Sequence, residues 1–264
     1  MNQTDRHGFA NFDAVLFDLD GVITKTAVLH AAAWKRLFDE YLKKLAARTR
    51  SGYEPFDPSR DYRFYVDGKA RYDGVKDFLK SRNVTLPPGS PNDGPDQETI
   101  YGLGNKKDEY FDGCLRETGV VVYPGTVRYL RAARAAGLKT AVVSSSHHCR
   151  EIIQSVGLTA LFETRIDGYE IDRLHLPGKP APDTFLEAAR RLGVLPGKAI
   201  VIEDALAGVQ AGQAGGFGLV IGVNRENQTD ALRQRGADIV VDDLAEMLPS
   251  EPATEPSAAP PAGD

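Results

Sequence analysis

Short apolar runs alternate with helical patterns through most of this chain. Residues 12–17 (FDAVLF), 139–143 (KTAVV), 198–202 (KAIVI), 217–223 (FGLVIGV) and 237–241 (ADIVV) are dominated by apolar residues, several of them almost continuously. Strands covered on both faces read this way. Between them, residues 126–136, 148–155, 182–192, 205–214 and 229–235 read as helices. Pro182 falls where a first helical turn tolerates proline, and Gly137, Gly157 and Gly193 follow their helices as C-terminal caps do. Alternating strand and helix predicts an α/β fold on a doubly wound, Rossmann-like parallel sheet.

Residues from about 26 to 117 break this rhythm. Leu29, Trp34, Leu37, Phe38, Tyr41, Leu42 and Leu45 predict an amphipathic helix. Val75, Phe78 and Leu79 mark a second helix, residues 101–115 a third, and residues 87–95 (PPGSPNDGP) a turn-rich loop. This is a helical insert after the first strand. An open α/β sheet binds ligands at the carboxyl ends of its strands, so an insert there is expected to cover the site as a lid. The predicted division is a core of residues 11–25 and 118–248, a helical cap of residues 26–117, and disordered ends at 1–10 and 249–264. The second end is dominated by Pro, Ala, Ser and acidic residues.

Composition narrows the function. The 264 residues, 42% of them hydrophobic, suffice for one large domain or a core with a smaller one attached. A formal net charge of −5 gives no global pull toward nucleic acid or an anionic membrane. No apolar run approaches the roughly 18 residues of a membrane span. The first residues lack the apolar segment of a secretory signal, and a cytoplasmic location is the expectation. Cys114 and Cys149 stand far apart, which argues against a disulfide scaffold or a structural zinc. Neither a GxxxxGK[ST] loop nor a GxGxxG after the first strand is found. His147-His148-Cys149 lacks a fourth ligand for a soft metal and reads as a loop entering a helix.

Four strand ends or following loops carry candidate chemistry. The first strand runs into Asp18-Leu19-Asp20-Gly21. Two carboxylates just past a buried strand are costly unless a cation offsets them, and Mg²⁺ takes such oxygen ligands. Alone, this stretch reads equally as a turn. Glu203-Asp204 ends another buried strand, although Asp204 could also cap the next helix. Ser144-Ser145-Ser146 precedes a helix and suits a phosphate, or is a plain N-cap. Lys179, between Gly178 and Pro180, offers a fixed positive charge or is a surface lysine.

In this order, FDAVLFDLDGVI, VVSSS, GKPAPD and VIEDALAGVQAG resemble the four motifs of the haloacid dehalogenase superfamily over about residues 12–245. That resemblance implies Asp18 as nucleophile and Asp20 as general acid/base. It implies Mg²⁺ held by the Asp18 carboxylate, the Asp20 backbone carbonyl, Asp204 and Glu203, with Ser144 (and its neighbours Ser145 and Ser146) and Lys179 on the transferring phosphoryl group. DLDGVITKTAVLHAAAW resembles the opening of the β-phosphoglucomutase family, including Thr26, His30 and Trp34. Thr26 and His30 are thereby grouped with the substrate side, His30 as a hinge-side residue coupling cap closure to Asp20. Arg71 becomes the candidate grip for a distal phosphate and Lys106 a second cap contact.

The resemblance further implies interconversion of β-glucose 1-phosphate and glucose 6-phosphate through a glucose 1,6-bisphosphate intermediate. It implies a monomer and a disaccharide phosphorylase as metabolic partner. Lys25, between Thr24 and Thr26, departs from the acidic residue common there. The cap is lengthened near residues 50–60 and 85–97, changes expected on the substrate side. A phosphatase shares all four core motifs and is the alternative; a sugar-phosphate sensor without activity is a third reading.

Overall fold

The computed structural model describes residues 9–50 and 52–248. After β1 (Ala14–Phe17) come the insert helices α1 (Ala27–Thr49), α2 (Arg71–Ser81) and α3 (Ile100–Thr118). The chain continues through α4 (Pro124–Ala135), β2 (Lys139–Val143), α5 (Cys149–Ser155), β3 (Thr164–Ile166), α6 (Gly168–Leu174) and α7 (Asp183–Leu192). It closes with β4 (Ala199–Glu203), α8 (Leu206–Ala214), β5 (Leu219–Val223), α9 (Thr229–Gln234) and β6 (Ile239–Val241). All six strands are parallel, in the order β3-β2-β1-β4-β5-β6.

This is the doubly wound sheet that the alternation of patterns predicts. Val15 and Phe17 of β1 pack into one apolar cluster, while Ala14 and Leu16 pack into the other. Both faces are therefore covered, which is why the strands are continuously apolar. Phe17 lies opposite Val142 of β2 and Ile202 of β4. That register brings Asp18 level with Glu203. The two stand where strand order reverses, the place where open α/β sheets bind ligands.

Some boundaries move. The strands near residues 12, 217 and 237 begin two residues late, and Pro182 precedes α7 rather than sitting in its first turn. β3 and α6 went unpredicted. β3 is three residues, Thr-Arg-Ile, too short for a periodic signal, and it is held by its ladder to β2. α6 is seven residues, started by the Asp167 side chain accepting from the Glu170 N–H. Of the ends expected to be disordered, residues 1–8 and 249–264 lie outside the described residues. Phe9, placed in the first of them, is instead buried against Tyr129 with ring centroids 5.1 Å apart.

The insert carries its own apolar cluster, built on Trp34, Phe38, Phe56, Val75, Phe78 and Leu103. The Phe38 and Phe78 centroids are 3.9 Å apart. One turn of π-helix, Tyr62–Val66, leads the chain back toward the sheet. It delivers Asp67 and Gly68 above the strand ends, where the Ser145 hydroxyl donates to the Gly68 carbonyl at 2.9 Å.

Candidate active site

Three buried carboxylates meet at the ends of β1 and β4. Oxygens of Asp18, Glu203 and Asp204 all lie within 4.8 Å of one another. Lys179 reaches them from the loop before α7. Its Nζ donates to Asp18 Oδ1 at 2.5 Å and to Glu203 Oε1 at 2.6 Å. Glu203 Oε2 accepts the Asp204 and Ala205 N–H groups, both at 3.0 Å. Two glycines make room. A Cβ on Gly21 would lie 1.8 Å from Asp204 Oδ2, and one on Gly208 would lie 1.7 Å from Glu203 Oε1. Gly208 thus makes room for the Glu203 carboxylate.

One lysine faces three carboxylates, so negative charge is in excess. Burial and then repulsion from Glu203 push the Asp18 carboxyl well above its ordinary range, against the pull of Lys179. Burial, then Asp67 and Glu203, do the same to Asp204. Asp204 Oδ1 is buried with no hydrogen-bond partner. A set of hard oxygen donors with excess charge and an orphaned oxygen fits a divalent cation such as Mg²⁺.

The same excess predicts how stability depends on pH. Asp18 and Asp204 bind a proton more tightly folded than unfolded. Their contribution is complete below the unfolded value of 3.8 and lost as pH rises through the folded values. Asp67 follows suit, pushed up to about 8 by burial beside Glu203 and Glu226. The cation-free protein is therefore expected to lose stability from about pH 4 to about pH 8. Saturating Mg²⁺ should raise the melting temperature most at the upper end of that window. Thermal melts in chelator and in Mg²⁺ check this; the same pH dependence in both would refute it.

Asp20 points away from the three-carboxylate group. Its Oδ1 accepts from the Thr26 hydroxyl at 2.5 Å, and its Oδ2 from Ser144 at 3.2 Å. His30 Nε2 lies 3.3 Å from Oδ1. Burial opposes the charged form, but His30 and Thr26 outweigh it and hold Asp20 at about 2. His30 stacks on Phe111, with centroids 3.8 Å apart, and its Nδ1 lies 2.6 Å from Lys107 Nζ. Burial and the Lys107 charge push the imidazole down; burial lowers Lys107 to about 8. An ammonium donating to Nδ1 leaves the ring proton on Nε2, which lies near Asp20 Oδ1 without forming a hydrogen bond. This chain of contacts runs from α3 through α1 to the strand end.

A cavity between insert and sheet joins these groups. Asp18 and Asp20 line its floor; Arg71, Lys107 and Asp67 line the insert side. Ser145, Ser146 and His147 close the wall contributed by the loop after β2.

Several expectations need correction. Lys106 does not reach this cavity: its Nζ lies 3.3 Å from Glu40 and 3.4 Å from Asp96, in a separate small cavity. Lys107 takes the place expected for it. Adjacent helical residues point about 100° apart, and packing of α3 on α1 decides which faces inward. Thr26, grouped with the substrate side, is buried and serves Asp20 instead. Lys25 is exposed over the Tyr123 ring at 5.3 Å, off the cavity. Of the lengthened segment at residues 85–97, Pro95, Asp96 and Gln97 line the Lys106 cavity rather than the main one.

Asp67, Lys107, Asp108 and His147 line the cavity and were not foreseen. His147 and His148 enter α5 as expected, yet pair with Asp172 at 2.8 Å and Asp108 at 3.2 Å. The GKARYDG stretch around Arg71 was the available signal for Asp67.

A buried strand-end aspartate against a lysine and two further carboxylates, under a helical insert, defines a phosphotransfer enzyme of the haloacid dehalogenase kind. Residues 12–216 match the haloacid dehalogenase-like hydrolase family, and the chain belongs to it, in the β-phosphoglucomutase-like branch. It is 52% identical over 238 residues to a β-phosphoglucomutase of Mycobacterium bovis, covering 89% of this chain and 91% of that one. It is 39% identical over 233 residues to an uncharacterized glycosyl hydrolase of Mycobacterium tuberculosis, covering 88% of this chain but 17% of that protein. In fold it is similar to a β-phosphoglucomutase from Clostridium difficile, with a TM-score of 0.68, 24% identity and coverage of 89% and 92%. The chain is thus an enzyme of the phosphotransferase–isomerase kind. Among the described residues no helix is long and apolar enough to cross a membrane.

Proposed function

We propose that this enzyme interconverts β-glucose 1-phosphate and glucose 6-phosphate through glucose 1,6-bisphosphate. The observation that carries this reading is a cavity with two phosphate-suited ends: Asp18 at one, and Arg71 at the other. A mutase needs both, because its intermediate carries two phosphates.

In this reading a carboxylate oxygen of Asp18 attacks phosphorus, the ester P–O bond breaks, and an aspartyl phosphate forms. Asp20 hands its proton to the leaving sugar oxygen, and in the reverse step takes one from the accepting hydroxyl. With its carboxyl held at about 2, Asp20 rests ionised and is poised for the accepting step. Lys179 holds Asp18 and offsets charge on the transferring group, with Ser144, Ser145 and Ser146 beside it. Mg²⁺, held by Asp18, Asp204 and the Asp20 carbonyl, would neutralise phosphoryl charge. Glu203, whose oxygens are taken by Lys179 and two backbone N–H groups, anchors this arrangement. Residues 26–117 act as the cap that excludes water. A disaccharide phosphorylase would supply the substrate, in keeping with the match inside a larger glycosyl hydrolase-like protein.

The test mixes protein, β-glucose 1-phosphate, Mg²⁺ and a trace of glucose 1,6-bisphosphate. Fast glucose 6-phosphate with little free phosphate is expected. Free phosphate without glucose 6-phosphate would establish a phosphatase instead. Arg71→Ala should raise the half-saturating bisphosphate concentration about tenfold or more, the cost of a charge-assisted contact. Unchanged saturation would remove Arg71 from the distal site.

A further inference from the structure

Arg71, the first residue of α2, is not free to swing in the cavity. Its Nη1 pairs with Asp108 Oδ1 of α3. Its Nη2 donates to the Tyr72 hydroxyl at 3.0 Å, and that hydroxyl donates to Asn105 Oδ1 at 2.9 Å. Two of the guanidinium nitrogens are thereby fixed from within the insert. Its Nε and Nη1 are both buried without a hydrogen bond, so Asp108 holds Nη1 as an ion pair alone.

Asp108 has a second partner, and it lies on the sheet side. His148 Nε2, at the start of α5, is 3.2 Å from Asp108 Oδ1. His148 Nδ1 is 3.4 Å from Asp112 of α3 and 3.9 Å from Glu151 of its own helix. Lys107 is the cation nearby that opposes its protonation. The loop ending in His148 also supplies Ser145 and Ser146 to the cavity wall.

We propose that Asp108 is the positioning residue for Arg71, and that His148 clamps Asp108 so that the distal-phosphate grip is assembled as the cap meets the core. The assignment rests on the reading of Arg71 given above. An isolated carboxylate beside a bound phosphate would repel it. Between Arg71 and His148, that negative charge is offset on both sides. Asp108 then aims the guanidinium through one ion pair and leaves the Nε edge for phosphate oxygens. Because the clamp spans insert and core, an open cap would hold Arg71 less rigidly. Binding of the second phosphate and closure would favour one another.

The experiment measures the half-saturating concentration of glucose 1,6-bisphosphate and kcat at saturation, on the full chain with β-glucose 1-phosphate and Mg²⁺. Asp108→Ala is expected to raise half-saturation about tenfold or more, with a smaller change in kcat. His148→Phe should do so to a lesser degree. The double variant should be no worse than Asp108→Ala, because His148 acts through Asp108. Asp108→Asn, nearly isosteric, should fall between Asp108→Ala and the unchanged enzyme. A fall in half-saturation would overturn the proposal and make Asp108 a competitor for the phosphate site. Equal losses in kcat and half-saturation, or additive effects in the double variant, would reduce Asp108 to a structural role. If Arg71→Ala itself leaves half-saturation unchanged, the distal-phosphate reading fails and this assignment with it.

Discussion

Replacing Asp18 with asparagine is expected to lower turnover by on the order of 10⁴-fold or more, while making the cation-free protein more stable. The loss follows from chemistry: an amide cannot form the aspartyl phosphate. The gain follows from the charge excess. Burial and Glu203 already push the Asp18 carboxyl well above its ordinary range, so keeping it ionised costs the folded protein stability. A neutral amide oxygen still accepts from Lys179, and the repulsion with Glu203 and Asp204 is relieved. Activity and stability therefore trade against each other at this position, as functional carboxylates often make them do. Paired turnover and thermal-melt measurements in chelator check both halves. Residual activity above a hundredth of the original would exclude Asp18 as nucleophile. A lower melting temperature would exclude charge excess as the source of strain.

The second large effect belongs to Lys179. Its side chain is 1% exposed and its ammonium bonds both Asp18 and Glu203. Truncating one partner of a buried ion pair leaves uncompensated charge and costs about 3–5 kcal/mol. For a chain of this size that corresponds to about 6–20 °C in melting temperature. Lys179→Ala should show this near neutral pH. The difference should shrink on acidification, when the carboxylates take up protons, and shrink again with Mg²⁺, which supplies replacement charge. Turnover should fall with it, because in the proposed mechanism the same ammonium offsets charge on the phosphoryl group. A Lys179→Ala protein within 1 kcal/mol of the original at neutral pH in chelator, by denaturant unfolding, would show that the cluster does not depend on this lysine.

The two effects share one origin. Parallel strands buried on both faces end at a common edge, and their next residues share a small volume. Asp18, Glu203 and Asp204 are carboxylates in that volume, and their mutual repulsion is offset in part by Lys179 and would be offset further by a divalent cation.

Much of this was legible along the chain. Continuous apolar runs mark strands covered on both faces, because burial is the signal they report. The acidic, serine and lysine motifs sit immediately beyond such runs or in a loop before a helix. Once the sheet is parallel, geometry gathers them at one edge. The insert helices declared themselves through their apolar faces, and GKAR marked the start of α2.

Other features were decided only by tertiary packing. Lys106 and Lys107 are equivalent by composition. The inward one is chosen by how α3 docks on α1, through Phe111 stacked on His30 and Lys107 beside the same ring. β3 has no pattern of its own and exists because β2 offers it a ladder. Asp108 and His148 are 40 residues apart and meet only where insert and core converge. Local sequence reports whether a position is buried, whereas which partner it finds there depends on the path of the whole chain.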